Sequence, residues 1–207
     1  MIKRIVFSIL ESLIRSISGG LGQRIRRQYY KRRFKSCGGN LKIDEGVIFH
    51  NPENIEIGSN VWFLQYSIIT ARESNLEIND RLLIRKVNKK FTRKIGSITI
   101  GNEVSIGAYN IIQGYGGLII EGKVTTSARV SIYSFSHYPN DKGNPSKITH
   151  ANSMVNSKSI SCIESPIVIK KNAWLGLNVI VFGGTVGKNS FVLSNSIVMS
   201  DLDENSY

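Results

Sequence analysis

Residues 98–132 read Ile98-Thr-Ile100-Gly-Asn-Glu-Val104-Ser-Ile106-Gly-Ala-Tyr-Asn-Ile-Ile112-Gln-Gly-Tyr-Gly-Gly-Leu118-Ile-Ile120-Glu-Gly-Lys-Val124-Thr-Thr-Ser-Ala-Arg-Val130-Ser-Ile132. Aliphatic residues recur here in pairs two apart, at a six-residue spacing. The same register stands earlier at Ile55/Ile57, Val61/Phe63 and Ile69, and at Leu76/Ile78 and Leu82/Ile84. It returns at Ile167/Ile169, Leu175, Val179/Val181, Val186, Val192 and Val198. No α-helix repeats every six residues, and a single strand alternates every two. Short strands with a corner after each one satisfy both facts, which predicts a β-helix whose three-sided coil takes about eighteen residues.

Equivalent inward positions at Ile57, Ile78, Ile100, Ile120, Ile169 and Val186 lie 21, 22, 20, 49 and 17 residues apart. Four intervals therefore hold one coil with few additions, while one holds a long insertion from Ile132 to about Ser165. Loops of that length inside a compact domain are usually functional or disordered. This one carries His137 and His150, which favours function.

The charge is uneven. The chain has a net charge of +12, yet residues 1–42 hold eleven Lys/Arg against Glu11 alone. A basic N-terminus on a near-neutral body points to an anionic surface or a phosphate-bearing ligand. No nucleic-acid motif accompanies it. Residues 1–40 are expected to form a basic helical segment, and residues 41–207 the β-helix with a loop over about 133–165. Within residues 2–17, Ile2, Ile5, Val6, Ile9, Leu13 and Ile17 share one helical face. Gly19-Gly20 is expected to end that helix. The segment either shields the end of the β-helix or lies on anionic lipid. A second basic stretch, Arg85 to Lys94, falls where a coil face is due. It is expected to bulge outward, either as a solvated loop or as an attractor of a phosphate-bearing substrate.

Cys37 and Cys162 suggest no disulfide framework, so a cytoplasmic setting is the default. No apolar run reaches eighteen residues, and Glu11 interrupts the N-terminal one before it reaches the length of a secretion signal.

Two further motifs give these coils a chemistry. Ile132-Tyr-Ser-Phe-Ser-His137-Tyr-Pro-Asn-Asp141 opens the long loop, and Pro166-Ile-Val-Ile-Lys-Lys-Asn-Ala-Trp174-Leu-Gly176 closes it. With the repeat, they resemble the hexapeptide-repeat acyltransferases over roughly residues 30–207. The nearest branch is that of the maltose, galactoside and surface-polysaccharide O-acetyltransferases. The resemblance implies an all-β fold, a left-handed parallel β-helix, assembled as a homotrimer. It implies acetyl-CoA as donor, a carbohydrate acceptor and no metal. It puts a catalytic histidine at His137, seventeen residues after Ile120. Coenzyme contacts fall on Trp174, Gly176, Leu177, Ser194, Met199 and Ser200, largely through backbone. The galactoside enzymes' sugar-binding asparagine aligns with Gly107, so Asn110 and Gln113 become the substrate-binding candidates. The chain ends at Ser206-Tyr207, where relatives continue with a coenzyme-contacting segment, an ending expected to weaken cofactor binding.

The chemistry is coherent by itself. Neutral imidazole can take a proton from a sugar hydroxyl near pH 7, letting it attack the thioester directly. No Gly-x-Ser-x-Gly motif offers a nucleophile. His50, His137 and His150 lack the spacing of a three-histidine zinc site. The reading is an acetyl-CoA-dependent O-acetyltransferase acting on a surface polysaccharide or its lipid-linked precursor, expected in the cytoplasm, with peripheral contact to the inner membrane face as an open alternative. The rivals are an N-acetyltransferase of a nucleotide-linked amino sugar, and an inactive β-helix scaffold.

Overall fold

The computed structural model describes residues 2–73, 83–138, 140–141, 144–148 and 161–207. Helices α1 (Ile2–Arg15) and α2 (Gly19–Lys31) precede the strands. Six coils then stack as three parallel six-stranded sheets. The first face contains Ser36–Cys37, Ile55–Ile57, Ile98–Ile100, Leu118–Ile120, Ile167–Ile169 and Gly184–Val186. The second contains Lys42–Ile43, Trp62–Phe63, Ser105–Ile106, Thr125–Thr126, Trp174–Leu175 and Phe191–Val192. The third contains Ile48–His50, Ile68–Thr70, Ile111–Gln113, Ser131–Tyr133, Ile180–Val181 and Ile197–Val198.

The six-residue register sends one side chain inward from each strand of the second face and two from strands of the first such as Ile98–Ile100, and these form continuous ladders. On the second face Ile43, Phe63, Ile106, Thr126, Leu175 and Val192 follow one another. Each fully buried aliphatic side chain contributes about 1.5–3 kcal/mol. The corners need backbone in the left-handed region, and asparagine supplies it at Asn60, Asn172, Asn189 and Asn205, among others. Asparagine tolerates that conformation, and here its amide also bonds the next corner, as Asn172 to Asn189 and Asn189 to Asn205.

Six coils exist, but from Ile57 onward there is one fewer than the spacing predicts, and Ser36–Cys37 supplies a rung ahead of Ile57. Ile57 pairs directly with Ile100, so Ile78 is not a rung between them. Ile78 itself lies outside the described residues. The interval from Ile57 to Ile100 is a single coil carrying a second insertion, at the same third-to-first corner as the first.

The N-terminal helices close the first coil. Gly19-Gly20 opens α2 instead of merely ending α1. The buried guanidinium of Arg26 donates to the carbonyls of Ile14 and Ile17 at the end of α1, and to Ile43 in the first coil. Placing a cation on the carbonyl end of a helix is electrostatically favourable, and here it also fixes the cap to the coil. α1 packs through Ile14 and through Glu11, which pairs with Arg33. The apolar face expected to shield the coil points elsewhere, for Ile9 and Leu13 are 57% and 64% exposed.

Candidate active site

The two insertions meet. Phe135–Tyr138 runs antiparallel to Ser161–Glu164, which runs parallel to Leu83–Arg85, making a small sheet outside the coils. His137 stands directly opposite Cys162. At the root, the Ser165 N–H donates to the Ser134 carbonyl at 2.8 Å. The Ser134 hydroxyl donates to the Gln113 carbonyl and accepts from the Gly116 N–H, both at 2.9 Å. The buried Glu164 carboxylate takes Arg72 at 2.5 Å and Arg85 at 3.6 Å. Glu164 therefore ties both insertions to each other. Glu164→Gln should lower unfolding stability by on the order of 3 kcal/mol, because it leaves the guanidinium of Arg72 without its counter-charge. Denaturant unfolding checks this, and an unchanged midpoint would mean the network is energetically neutral.

His137 is exposed at the rim of this sheet. Burial raises the pKa of the Cys162 thiol, which keeps it protonated near neutral pH and a poor nucleophile. Among the described residues, no group of three His, Cys, Asp or Glu side chains could hold a metal ion. His150 lies outside the described residues.

The predicted coenzyme residues fall on other parts of the surface. Trp174 projects from the second face, 53% exposed, its indole N–H donating to the Ser127 hydroxyl at 3.1 Å. Phe191 meets its ring edge-on, 5.7 Å between centroids. Leu177 and Ser194 sit at the second-to-third corner, joined by a 3.1 Å bond from the Leu177 N–H to the Ser194 hydroxyl. Gly176 is buried, and its N–H is already donated to the Val192 carbonyl. A Cβ there would lie 2.8 Å from that carbonyl oxygen and from the Ser194 nitrogen, so Gly176 is a spacing requirement of the stacked coils. Met199 and Ser200 line a cavity of about 440 Å³ at the third-to-first corner with Lys86, Lys89 and Lys90. One chain does not bring His137 and Trp174 together.

The acceptor candidates divide. Asn110 is fully buried, its amide donating to the Thr126 hydroxyl while its carbonyl oxygen accepts the Val130 N–H at 2.8 Å. It neutralises the one polar rung of the second ladder and cannot also face a sugar, which corrects the expectation. Gln113 fits better, because its buried Oε1 has no donor among the described residues. A buried acceptor left unpaired costs about 1–3 kcal/mol, which an arriving donor would recover. Gly107 admits no side chain, since a Cβ would sit 2.3 Å from the Ser127 carbonyl oxygen. The Arg72–Glu164–Arg85 network escaped sequence reasoning, because Arg72 and Glu164 are 92 residues apart and neither carries a local signal.

No family profile matches the chain. Among solved structures, the N-acyltransferase AntD from Bacillus cereus, with dTDP-4-amino-4,6-dideoxyglucose and coenzyme A, superposes with a TM-score of 0.65. That match has 20% identity and covers 86% of this chain and 81% of AntD. A maltose O-acetyltransferase from Clostridium difficile 630 superposes at 0.54, with 18% identity over 96% of this chain and 76% of the other.

The fold is the left-handed β-helix of the hexapeptide-repeat acyltransferases.

It departs from the right-handed crossover that parallel strands nearly always adopt. In sequence, the chain is similar to the dTDP-4-amino-4,6-dideoxy-D-glucose acyltransferase of Escherichia coli, 30% identical over 105 residues. That stretch is 51% of this chain and 43% of the relative, so the match spans less than half the relative's length.

Proposed function

We propose that this protein transfers an acyl group from coenzyme A to a sugar, with His137 as general base and with each active site shared between two subunits. The observation that carries the reading is the exposed histidine on a built sheet at the third-to-first corner, on a fold shared with acyl-CoA enzymes. His137 removes a proton from the acceptor as it attacks the thioester carbonyl, and the tetrahedral intermediate expels the coenzyme thiolate, which takes that proton back. Cys162 takes no part, so Cys162→Ala should retain turnover. Loss of activity in that variant would move the mechanism to an acyl-enzyme.

The similarity to the Escherichia coli enzyme favours an amino sugar on a nucleotide carrier over the polysaccharide hydroxyl. Incubation of the protein with acetyl-CoA and dTDP-4-amino-4,6-dideoxyglucose, followed by mass spectrometry, tests this. Addition of one acetyl group supports N-acylation. Acetylation of a polysaccharide acceptor alone would return the reading to O-acetyl transfer. The coenzyme's phosphates suit Lys86, Lys89 and Lys90 beside Met199 and Ser200, while Trp174 suits a wall for the pantetheine arm.

The exposed apolar side chains support a trimer. Trp62 and Trp174 on the second face, Tyr66 and Tyr109 at the next corner, and Ile111 and Ile197 on the third face are each 38–63% exposed. Packing the third face of one subunit on the second face of the next would cover them and bring His137 beside a neighbour's Trp174. Light scattering at micromolar concentration should give about three times 23.1 kDa. A monomeric mass with full activity would refute the shared site.

A second reading, with a lipid-linked polysaccharide precursor as acceptor, draws support from the N-terminal cap. Ile9, Leu10, Leu13 and Leu21 are exposed there, near Arg24, Arg27 and Lys31. Apolar side chains ringed by cations suit an anionic lipid surface. No described helix is long and apolar enough to cross a membrane. The double change Leu13→Glu and Leu21→Glu should abolish co-sedimentation with anionic vesicles while keeping Arg26 on its helix. Unchanged sedimentation would leave the cap a purely structural role.

A further inference from the structure

Residues 86–97 form a strap across the outside of the first face. It leaves the small sheet where the Lys86 N–H donates to the Glu164 carbonyl at 2.8 Å. The Asn88 amide then donates to the carbonyls of Pro166 and Gly184, both at 3.1 Å, gripping the fifth and sixth coils. Further along, the Phe91 ring covers Gly117, where a Cβ would lie 2.3 Å from the ring. The strap re-enters the helix at Ile98 in the third coil. It is thus fastened at both ends and in the middle, and it stands off the corner between the first and second faces.

The gap encloses about 540 Å³. Lys90 and Arg93 line it from the strap, and Lys123, Lys170 and Lys171 from the corner, against only Glu103 and Glu121. Lys170 lies 2.8 Å from Glu121, and Lys123 lies 3.9 Å from Glu103, which accounts for both acids. Lys90 and Arg93 reach carboxylates outside the cavity, Asp201 at 3.6 Å and Glu56 at 3.9 Å. Among the described residues, no carboxylate lies within ion-pair distance of the Lys171 ammonium. Cations crowded around one cavity repel each other and are relieved by an anion that several can share. The lining holds no aromatic side chain, because Phe91 is turned onto Gly117, so a nucleobase has nothing to stack on. Lysine ammonium groups act as point charges and suit phosphoryl oxygens.

We infer that this strap-covered groove binds a di- or oligophosphate group, recognised by its charge and not by an attached base. The groove opens at the first-to-second-face corner and shares only Lys90 with the cavity beside Met199 and Ser200 that the proposed function gives to the coenzyme, so competition by coenzyme A separates the two sites.

The test is calorimetric titration of the full chain with inorganic tripolyphosphate and, separately, with thymidine diphosphate. Both should bind at 0.1 M salt, with affinities within about threefold of one another and falling as salt rises. The double variant Lys123→Ala/Lys171→Ala should bind tripolyphosphate about tenfold more weakly with an unchanged melting temperature, while Lys31→Ala in the helical cap binds as the parent does. Absence of binding, or equal affinity in the double variant, would overturn the site. Much tighter binding of thymidine diphosphate would overturn recognition by charge alone. Displacement of tripolyphosphate by coenzyme A would assign these phosphates to the donor groove and overturn a separate site.

Discussion

Replacing His137 with alanine should lower acyl transfer by about 10²–10⁴-fold, the usual contribution of a positioned general base. The side chain stands exposed on an edge strand paired with Ser161–Glu164, which Leu83–Arg85 backs on its other side. Removing the imidazole leaves that backbone pairing intact, so the variant should fold and melt as the parent does. Coenzyme affinity should change little, because Trp174, Met199 and Ser200 are on other strands and corners. Trp174→Ala should do the opposite, raising the KM for the acyl donor while leaving the base in place. Steady-state kinetics of the two variants together test the division of roles. Near-normal turnover of the His137 variant would show that the base lies elsewhere, and His150 becomes the next candidate.

Ile106→Asp should abolish folding. Ile106 is fully buried in the second ladder, stacked between Phe63 and Thr126. The change forfeits about 1.5–3 kcal/mol of apolar burial and sets a carboxylate among aliphatic side chains with no cation in reach. Burying an unpaired charge costs several kcal/mol more, and a single domain is stable by only about 5–15 kcal/mol. The buried polar groups of this region, Asn110, Thr126 and Ser67, are already bonded to one another or to backbone. Loss of the β-sheet circular dichroism signal in the soluble fraction, or recovery only as aggregate, is the expected result. A cooperative melt close to the parent's would mean that the core tolerates rearrangement at this rung.

The candidate site was legible in part. His137 was visible because the loop that bears it interrupts a strict period, and Trp174 because it marks the return to that period. Asn110 misled, because spacing along the chain placed it near Gly107 without showing that its amide turns inward to Thr126. Glu164 gave no sign at all, since a lone acid between Ile163 and Ser165 looks like any surface residue until Arg72 and Arg85 are brought to it.

The six-residue register by itself determined the three faces, the inward rungs and the corners, because the alternation of side chains along a short strand is a local property of the backbone. It could not decide which strand lies on which. Leu76, Ile78, Leu82 and Ile84 share the register, yet the strand ending at Ile57 pairs with the one ending at Ile100. Leu83–Arg85 joins Ser161–Glu164 instead, outside the helix. Parallel pairing is a choice among distant hydrogen-bonding partners, settled by the whole stack of coils. Only the tertiary structure therefore decided that the two insertions share one corner, that they carry His137 on a common sheet, and that the basic strap lies across the first face.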